Sequence, residues 1–250
     1  MSLPRTPSFR LDGRRAVVAG ASSGIGLACA AALAEARAEV VICARGADKL
    51  EEAAEAIRAE GHDARAAALD VTDTAAVRDL MARERPHVLV NSAGLARHAP
   101  ALDTAPEDVA AVVDVNLRAA FHLAAEAARH MERGGSIVQV SSQMGHVGGP
   151  DRAVYAATKH AVEGMTKAMA IEWGPRGIRV NTLCPTFIET PLTAATFADP
   201  ERRAWIERMI PLGRVGQVED VMGAAVFLAS DASALVTGSA LMVDGGWTAG

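Results

Sequence analysis

The sequence predicts an α/β fold: a single domain with a doubly wound, seven-stranded parallel sheet and helices on both faces. Seven short apolar runs alternate with Ala/Glu/Arg-rich runs of helical periodicity. The strand-like runs are apolar throughout, as in parallel strands that are covered on both sides. The length of 250 residues, 50% of them hydrophobic, suits one larger domain. Without a Pro-rich linker or an internal repeat, we take residues 1–250 as that domain.

The predicted elements follow one another in regular order. Strand-like runs lie at residues 16–19, 39–43, 64–69, 88–90, 136–140, 178–183 and 240–243. The third is the weakest, because alanine has a low strand propensity. Helical runs between the strands include residues 48–60, 75–85, 107–133 and 152–173. Residues 1–10 form an N-terminal extension ahead of the first strand.

One connection is longer than an α/β unit requires. More than thirty residues separate Cys184 from Glu219, and they hold Pro185, Pro191, Pro200 and Pro211. Connections of this length inside a compact domain are usually functional. We therefore predict a substrate lid at about residues 186–212, with a short helix around residues 202–209.

Composition excludes several classes of protein. A net charge of −5 and a pI near 5.8 disfavour nucleic acid or an anionic membrane as the main partner. The cysteines Cys29, Cys43 and Cys184 are odd in number and far apart, which predicts a reducing, cytoplasmic location. Residues 1–15 contain no apolar run for a signal peptide, and the apolar stretch 25–34 is too short to span a membrane. The seven histidines show no metal-ligand spacing, so no metal is expected.

A glycine-rich turn directly follows the first strand and opens an Ala-rich helical run. Its spacing is GxxxGxG, and glycines at such a turn let backbone N–H groups approach a pyrophosphate at a helix N-terminus. The alternative is a strand-to-helix turn that binds no ligand; the strand before and the helix after favour nucleotide binding. The candidate cofactor residues here are Gly20, Ser22, Ser23, Gly24, Ile25 and Gly26.

The end of the second strand bears on the choice of cofactor. An acidic residue there would bind a ribose 2′-hydroxyl, but Ala44 and Arg45 occupy the position. An arginine suits a 2′-phosphate through charge-assisted contacts. NADP(H) is therefore favoured, NAD(H) is possible, and the alternative for Arg45 is a solvated loop residue.

A serine, a tyrosine and a lysine follow in an order that suggests proton transfer. Ser142 ends the fifth strand, where a doubly wound sheet places its ligand crevice. Tyr155, the only tyrosine of the chain, lies four residues before Lys159, so the two share one helix face. A lysine cation favours the phenolate, which lets the phenol donate and accept protons, and a serine hydroxyl can hydrogen-bond a substrate carbonyl. A Tyr and a Lys four apart are ordinary on a helix surface; the combination with the glycine turn and the serine is not.

This combination resembles the short-chain dehydrogenase/reductase family over essentially the whole chain. The matching segments are Gly20 to Gly26, Asp70-Val71, Asn91 to Gly94, Asn116, Ser142, Tyr155 to Lys159, Ile178 to Thr182 and Asp244-Gly245-Gly246. The resemblance implies a Rossmann-type, NAD(P)-dependent oxidoreductase that interconverts a secondary alcohol and a ketone by hydride transfer.

The resemblance also implies residue roles, beginning with a catalytic tetrad of Asn116, Ser142, Tyr155 and Lys159. Tyr155 would exchange a proton with the substrate oxygen, which Ser142 would orient. Lys159 would bind the nicotinamide ribose and tune Tyr155, and Asn116 would help hold a water that links Lys159 to solvent. The cofactor contacts that it implies, together with Arg45, are Asp70, Val71, Asn91, Ala93, Gly94, Tyr155, Lys159, Pro185, Ile188 and Thr190.

The chain departs from the family's pattern at three positions. Ala19, Ser92 and Thr186 stand where the family often has Thr, Asn and Gly. Thr186 is expected to add bulk beside the nicotinamide, whereas none of the three touches the proton path.

The sequence does not select a substrate among sugars, polyols, sugar acids and hydroxy acids. Candidate pocket walls are Gln143, Met144, His146, Val147, Leu95, Arg97, His98, Phe187, Leu192, Phe197, Trp205 and Met209. His98 and His146 could bind substrate hydroxyls, and Arg97 or Arg152 could pair with a carboxylate; for each residue alone, a solvated or capping role is the alternative.

Two other functions stay open. A 3-oxoacyl-thioester (acyl carrier protein) reductase would share the fold and tetrad, but its phosphopantetheine arm calls for a basic patch that the mixed charges at residues 201–208 do not form. A non-catalytic nucleotide-binding regulator would have no need of Tyr155.

The helical runs 107–133 and 152–173 contain more small and apolar residues than one buried face of each helix requires. Together with the resemblance, this surplus predicts that the helices pack between subunits of a homotetramer.

Overall fold

The computed structural model of the chain describes residues 3–132 and 134–250. The strands found in these residues are β1 (Arg15–Ala19), β2 (Glu39–Ala44), β3 (Ala64–Ala68), β4 (Val88–Asn91), β5 (Gly135–Val140), β6 (Ile178–Pro185) and β7 (Ala240–Val243). All pair in parallel, in the order β3-β2-β1-β4-β5-β6-β7. The predicted doubly wound, seven-stranded parallel sheet is confirmed, and each strand lies within two residues of its predicted bounds.

Helices connect the strands and cover the sheet. In the described ranges they are α1 (Gly24–Glu35), α2 (Ala47–Ala59), α3 (Thr74–Glu84), α4 (Pro106–Val113), α5 (Ala120–His130), α6 (Ala153–Trp173), α7 (Ala194–Phe197), α8 (Pro200–Met209) and α9 (Glu219–Ala229). None of these helices is long and apolar enough to cross a membrane.

The predicted helix over residues 107–133 has a different internal structure. A π-helical turn, Asp114–Ala119, joins α4 to α5, so the helical path runs on from Pro106 to His130. It ends three residues before the predicted end, which falls on residue 133, outside the described residues. Such π turns are common at functional sites, and this one carries Asn116.

The core consists of two aliphatic layers, one on each face of the sheet. Neighbouring residues of β1 point in opposite directions: Val18 lies in the layer of Leu33 from α1 and Leu228 from α9, whereas Val17 lies in that of Leu123 from α5. The largest fully buried side chains in the described part of the chain are all Leu, Ile or Met. The low aromatic content, 4%, therefore matches the way the core is built.

The strand order places a crevice beside β1. The chain adds β2 and β3 on one side of β1 and then returns to add β4 on the other. At such a switch point a crevice opens beyond the carboxyl ends of the strands. β1 and β4 end side by side, with Ala19 paired to Asn91.

The long connection after β6 packs around its own aromatic cluster. It contains α7 and α8, the second of which covers the predicted short helix. Phe187, Ile206 and Ile210 are buried together, and Phe197 and Trp247 pack against them. The segment is thus held by packing as well as by its covalent attachments.

Candidate active site

A cleft of about 800 Å³ lies at the carboxyl ends of the strands, between the glycine turn and the segment after β6. It collects residues from most of the strand ends. The predicted site residues that line it are Gly20, Ser22, Ser23, Gly24, Ile25, Gly26, Arg45, Asp70, Val71, Ala93, Gly94, Leu95, Arg97, His98, Ser142, Gln143, Met144, Arg152, Tyr155, Lys159, Pro185, Phe187, Ile188, Thr190 and Leu192.

Two predicted residues lie behind the cleft wall and position it. Asn91 donates to Gln139 Oε1 at 2.8 Å, and its Oδ1 accepts from the Ala93 amide at 3.2 Å. Asn116 accepts from the Leu95 amide at 2.8 Å and donates to the Leu95 carbonyl at 2.9 Å. Both carboxamides therefore hold the loop after β4, and they are almost fully buried.

Val147, Phe197, Trp205 and Met209, which were predicted as pocket walls, do not line the cleft. Neither does His146, whose side chain turns away from it. Its Nε2 lies 3.6 Å from both Glu163 Oε1 and Cys184 Sγ. Burial raises the pKa of the Cys184 thiol to about 12, so the thiol stays protonated and donates to Glu163 at 3.3 Å. These three groups lie close enough together to hold a metal ion, which was not expected; they come from three elements, so their spacing in the sequence does not reveal them.

The glycine turn leaves backbone donors available at the start of α1. Ser23, the N-cap of α1, makes no side-chain capping bond, and the first turn holds no acidic residue. The first N–H groups of a helix have no partner within the helix, so this end can bind an anion. Gly20 has φ of +77°, and a Cβ there would lie 2.6 Å from the Ala93 nitrogen. The turn is therefore packed directly against the loop after β4.

Substitution of Gly20 by Ala is expected to lower the free energy of unfolding by about 2–4 kcal/mol, because strain at positive φ adds to overpacking against backbone. Gly61→Ala is the matched control. Gly61 has φ of +84° but open space around its Cβ position, so we expect only the strain, about 1–2 kcal/mol. Urea unfolding of both variants measures the difference, and equal losses would show that the contact at Ala93 relaxes freely.

Two exposed cations flank the far end of the cleft. Arg45 follows β2 and Lys49 lies one turn into α2; both line the cleft, and neither forms an ion pair with any described residue. Asp70 is engaged elsewhere, since its Oδ1 accepts from the Thr72 amide at 2.9 Å and hydroxyl at 2.7 Å. These bonds, with a smaller effect of Arg45, hold the pKa of Asp70 below its usual value. Lys49 was not among the residues predicted from the sequence, although its i,i+4 spacing from Arg45 places the two on one side of the helix start.

At the other end, α6 presents Tyr155 and Lys159 to the cleft. Lys159 is 5% exposed, its Nζ donates to the Val140 carbonyl at 2.9 Å, and it lies 5.6 Å from the centre of the Tyr155 ring. The Ser142 hydroxyl donates to Gln143 Oε1 at 2.8 Å and accepts from the Met144 amide at 3.1 Å. A phenol, an ammonium group and a hydroxyl thus meet at one end of a cleft that begins at an anion-binding turn.

Comparison with known proteins agrees with this arrangement. A family model described as enoyl-(acyl carrier protein) reductase matches residues 20–248. The chain is 44% identical to gluconate 5-dehydrogenase of Gluconobacter oxydans over 247 residues, which cover 96% of each protein. The chain belongs to the short-chain dehydrogenase/reductase family. It is accordingly an NAD(P)-dependent oxidoreductase.

Other members of the family extend the likeness. D-threitol dehydrogenase of Mycolicibacterium smegmatis is 39% identical over 247 residues, with 96% of this chain and 95% of that protein covered. The crystal structure of gluconate 5-dehydrogenase from Burkholderia cenocepacia, in complex with NADP and tartrate, superimposes with a TM-score of 0.94 at 42% identity. That match covers 97% of this chain and 98% of the other.

This short-chain dehydrogenase has a second polar pair beside Tyr155. Arg152 Nη1 lies 2.7 Å from His98 Nε2, and the His98 ring packs edge-on to the Tyr155 ring with centroids 5.8 Å apart. Burial, and then the charges of Arg152 and Arg202, lower the pKa of His98 to about 4. Because a guanidinium only donates, His98 Nε2 accepts, which leaves the proton on Nδ1.

His98 is expected to make the enzyme less stable in mild acid. Its pKa is about 4 in the folded protein against an ordinary value of 6.5. Between these values the unfolded chain binds more protons, so the free energy of unfolding rises with pH and this contribution is complete above about 6.5. His98→Gln keeps an acceptor for Arg152 and should flatten the slope in urea titrations between pH 4.5 and 7. An unchanged slope would contradict the assignment.

Proposed function

We propose that this short-chain dehydrogenase interconverts a secondary alcohol and a ketone on a sugar, polyol, sugar acid or hydroxy acid, with NADP(H) as the favoured cofactor. The observation that carries the proposal is the continuous cleft from the glycine turn to Tyr155, Lys159 and Ser142. The relatives named above act on gluconate and D-threitol, which supports a polyhydroxylated substrate.

The cleft fits a dinucleotide with a 2′-phosphate. The uncapped start of α1 suits the diphosphate, Arg45 and Lys49 suit the 2′-phosphate, and Asp70 with Val71 lies where the adenine is expected. At the nicotinamide end, the buried Thr186 hydroxyl lines the cleft and has no hydrogen-bond partner among the described residues. The remaining residues proposed for that end and for the ribose are Ala93, Gly94, Pro185, Ile188 and Thr190. When bound, the nicotinamide gives or accepts the hydride.

The proton moves through Tyr155. In the direction of reduction the phenol gives its proton to the ketone oxygen, and in the direction of oxidation it takes one from the alcohol. The Lys159 cation stabilises the phenolate charge, while its bond to Val140 holds it in place. The Ser142 hydroxyl, kept in position by the Met144 amide, turns from Gln143 to the substrate oxygen and steadies the charge that develops there.

The assembly and boundaries proposed from the sequence also have structural support. Phe187 and Leu192 of the segment 186–212 line the cleft, as a substrate lid would. Phe121 on α5 and Ile171 on α6 are apolar and exposed, 47% and 79%, as faces of a homotetramer would be in one subunit. Buried, unpaired thiols at all three cysteines agree with a cytoplasmic location. Residues 1–10 remain an N-terminal extension of the one catalytic domain.

Light scattering tests the assembly: we expect four times the chain mass of 25.9 kDa. A monomer mass would overturn the homotetramer without affecting the proposed chemistry.

Substrate panels test the function. Polyols, sugar acids, hydroxy acids and acetoacetyl thioesters are offered with NADP(H) and NAD(H), and turnover is followed at the nicotinamide absorbance. We expect polyhydroxylated substrates to react. Preferred reduction of the thioester would favour the acyl carrier protein reductase alternative, which the lid does not support: Arg203 there is paired with Glu189 and Glu207 rather than free for a phosphopantetheine arm.

A further inference from the structure

The substrate end of the cleft contains a buried arginine that has no acidic partner. Arg152 is 8% exposed and lines the cleft, yet no carboxylate of the described residues lies within ion-pair distance of its guanidinium. By contrast, Arg97 in the same cleft is paired with Asp108. Burial of a charge is costly unless a partner compensates it. A ligand that brings the missing negative charge would compensate Arg152.

The neighbours of Arg152 orient its guanidinium without neutralising it. Its Nη1 donates to His98 at 2.7 Å, and its central carbon lies 5.0 Å from the centre of the Phe187 ring. An aromatic face is a favourable but uncharged support for a guanidinium. A guanidinium has five N–H groups in a planar fork, and this is the only hydrogen bond that the described residues give it. The other donors remain available to a ligand.

The electrostatics of this end are positive, although the whole chain carries −5. Arg202 of α8 shares with Arg152 the wall of a side cavity of about 180 Å³. Burial, and then the Arg202 charge, lower the pKa of Arg152, while Tyr155 and Asp151 act in the opposite direction. Asp151 is exposed and forms no ion pair with Arg152. An anion in the cleft would therefore meet the charge of Arg152, whereas Arg202 and Asp151 line only the side cavity.

We propose that Arg152 binds a carboxylate of the substrate, which makes the substrate a sugar acid or a hydroxy acid rather than a neutral sugar or polyol. This inference rests on the proposed function. The planar fork matches a carboxylate through two parallel hydrogen bonds. Arg152 precedes Tyr155 by one helical turn, so the bound carboxylate lies within a short carbon chain of the proton donor. His98, neutral and protonated on Nδ1, donates to a hydroxyl of that chain.

Kinetics with matched acids and alcohols test the proposal. Wild-type enzyme and Arg152→Gln are compared on gluconate and threonate and on the neutral alditols glucitol and threitol, with NADP⁺. The loss of a charge-assisted pair should lower kcat/KM for the preferred acid by about 10–100-fold, chiefly through KM. The alditols should change far less. Arg152→Lys keeps the charge but not the planar fork, so its kcat/KM for the acids should lie between those of the wild type and Arg152→Gln.

Two further variants sharpen the result. Arg208→Gln removes the same charge from α8, where Arg208 is exposed and lies outside the cleft. It should leave kcat/KM for every substrate at the wild-type value. Arg97→Gln tests the arginine of the loop after β4, which also lines the cleft. If kcat/KM for the acids falls in Arg97→Gln but not in Arg152→Gln, the proposal is overturned. A wild-type preference for alditols, or for the phosphate esters of the same alditols, also overturns it.

Direct binding separates this proposal from the proposed function. Gluconate and threonate are titrated calorimetrically into wild-type and Arg152→Gln enzyme loaded with NADP⁺, with unfolding curves to establish that the variant folds. If no substrate is turned over, the proposed function fails, but tighter acid binding by wild type still supports Arg152 as the carboxylate site. Equal affinities, or no binding to either protein, refute it.

Discussion

Tyr155→Phe is expected to lower kcat by about 10³-fold or more while the enzyme still binds NADPH. The substitution removes only the hydroxyl that exchanges a proton with the substrate oxygen. The ring stays packed against its neighbours: the His98 ring centre lies 5.8 Å from its centre and Lys159 Nζ lies 5.6 Å from it. The cleft should therefore keep its shape. Steady-state turnover of the preferred substrate and fluorescence titration with NADPH measure the two effects separately.

The neighbouring serines offer a control for this prediction. Ser141 and Ser142 are both buried at the end of β5, but the Ser141 hydroxyl has no hydrogen-bond partner among the described residues. The single variant Ser142→Ala should lose activity, as Tyr155→Phe does, whereas Ser141→Ala should keep most of its activity. Since Tyr155 is the only tyrosine of the chain, its ultraviolet titration reports this phenol alone and disappears in the variant. Near-normal turnover by Tyr155→Phe would remove Tyr155 from the proton path.

The parts of this enzyme that depend on local sequence were predictable. Strands such as 39–43 and 136–140 are apolar throughout, and the glycine turn and the Tyr155–Lys159 spacing are short-range patterns. Such patterns are set by neighbours within one turn of a helix or one strand, so they can be recognised without knowledge of the packing.

The remainder depends on contacts between distant segments. The π turn at Asn116 accompanies the pairing of its carboxamide with Leu95, 21 residues earlier. The Arg152–His98 contact joins residues 54 apart. His146 was expected in the cleft but faces Glu163 and Cys184 instead. No periodicity specifies such pairs, because each is decided by how the strands and their loops pack together.

The double substitution Arg45→Ala with Lys49→Ala is expected to reverse the coenzyme preference. Both side chains are exposed cations at the adenosine end of the cleft, without an ion-pair partner in the described chain. A 2′-phosphate would compensate both charges, and each charge-assisted contact contributes about 1.5–3 kcal/mol. We expect kcat/KM for NADP⁺ to fall by about 10²–10³-fold and that for NAD⁺ to change by less than about 3-fold, since NAD⁺ lacks the phosphate.

The two single variants and a control variant outside the cleft complete this test. Arg45 and Lys49 would hold the same phosphate, so their separate effects should not add. Arg5→Ala removes a positive charge from the N-terminal extension and should leave both coenzymes unaffected. The NADP⁺ advantage of the wild type should also shrink with ionic strength, because exposed charges are screened. If the double variant keeps the wild-type ratio of NADP⁺ to NAD⁺ activity, these cations do not select the coenzyme. The absence of an acidic residue after β2 would then no longer indicate a preference for NADP(H).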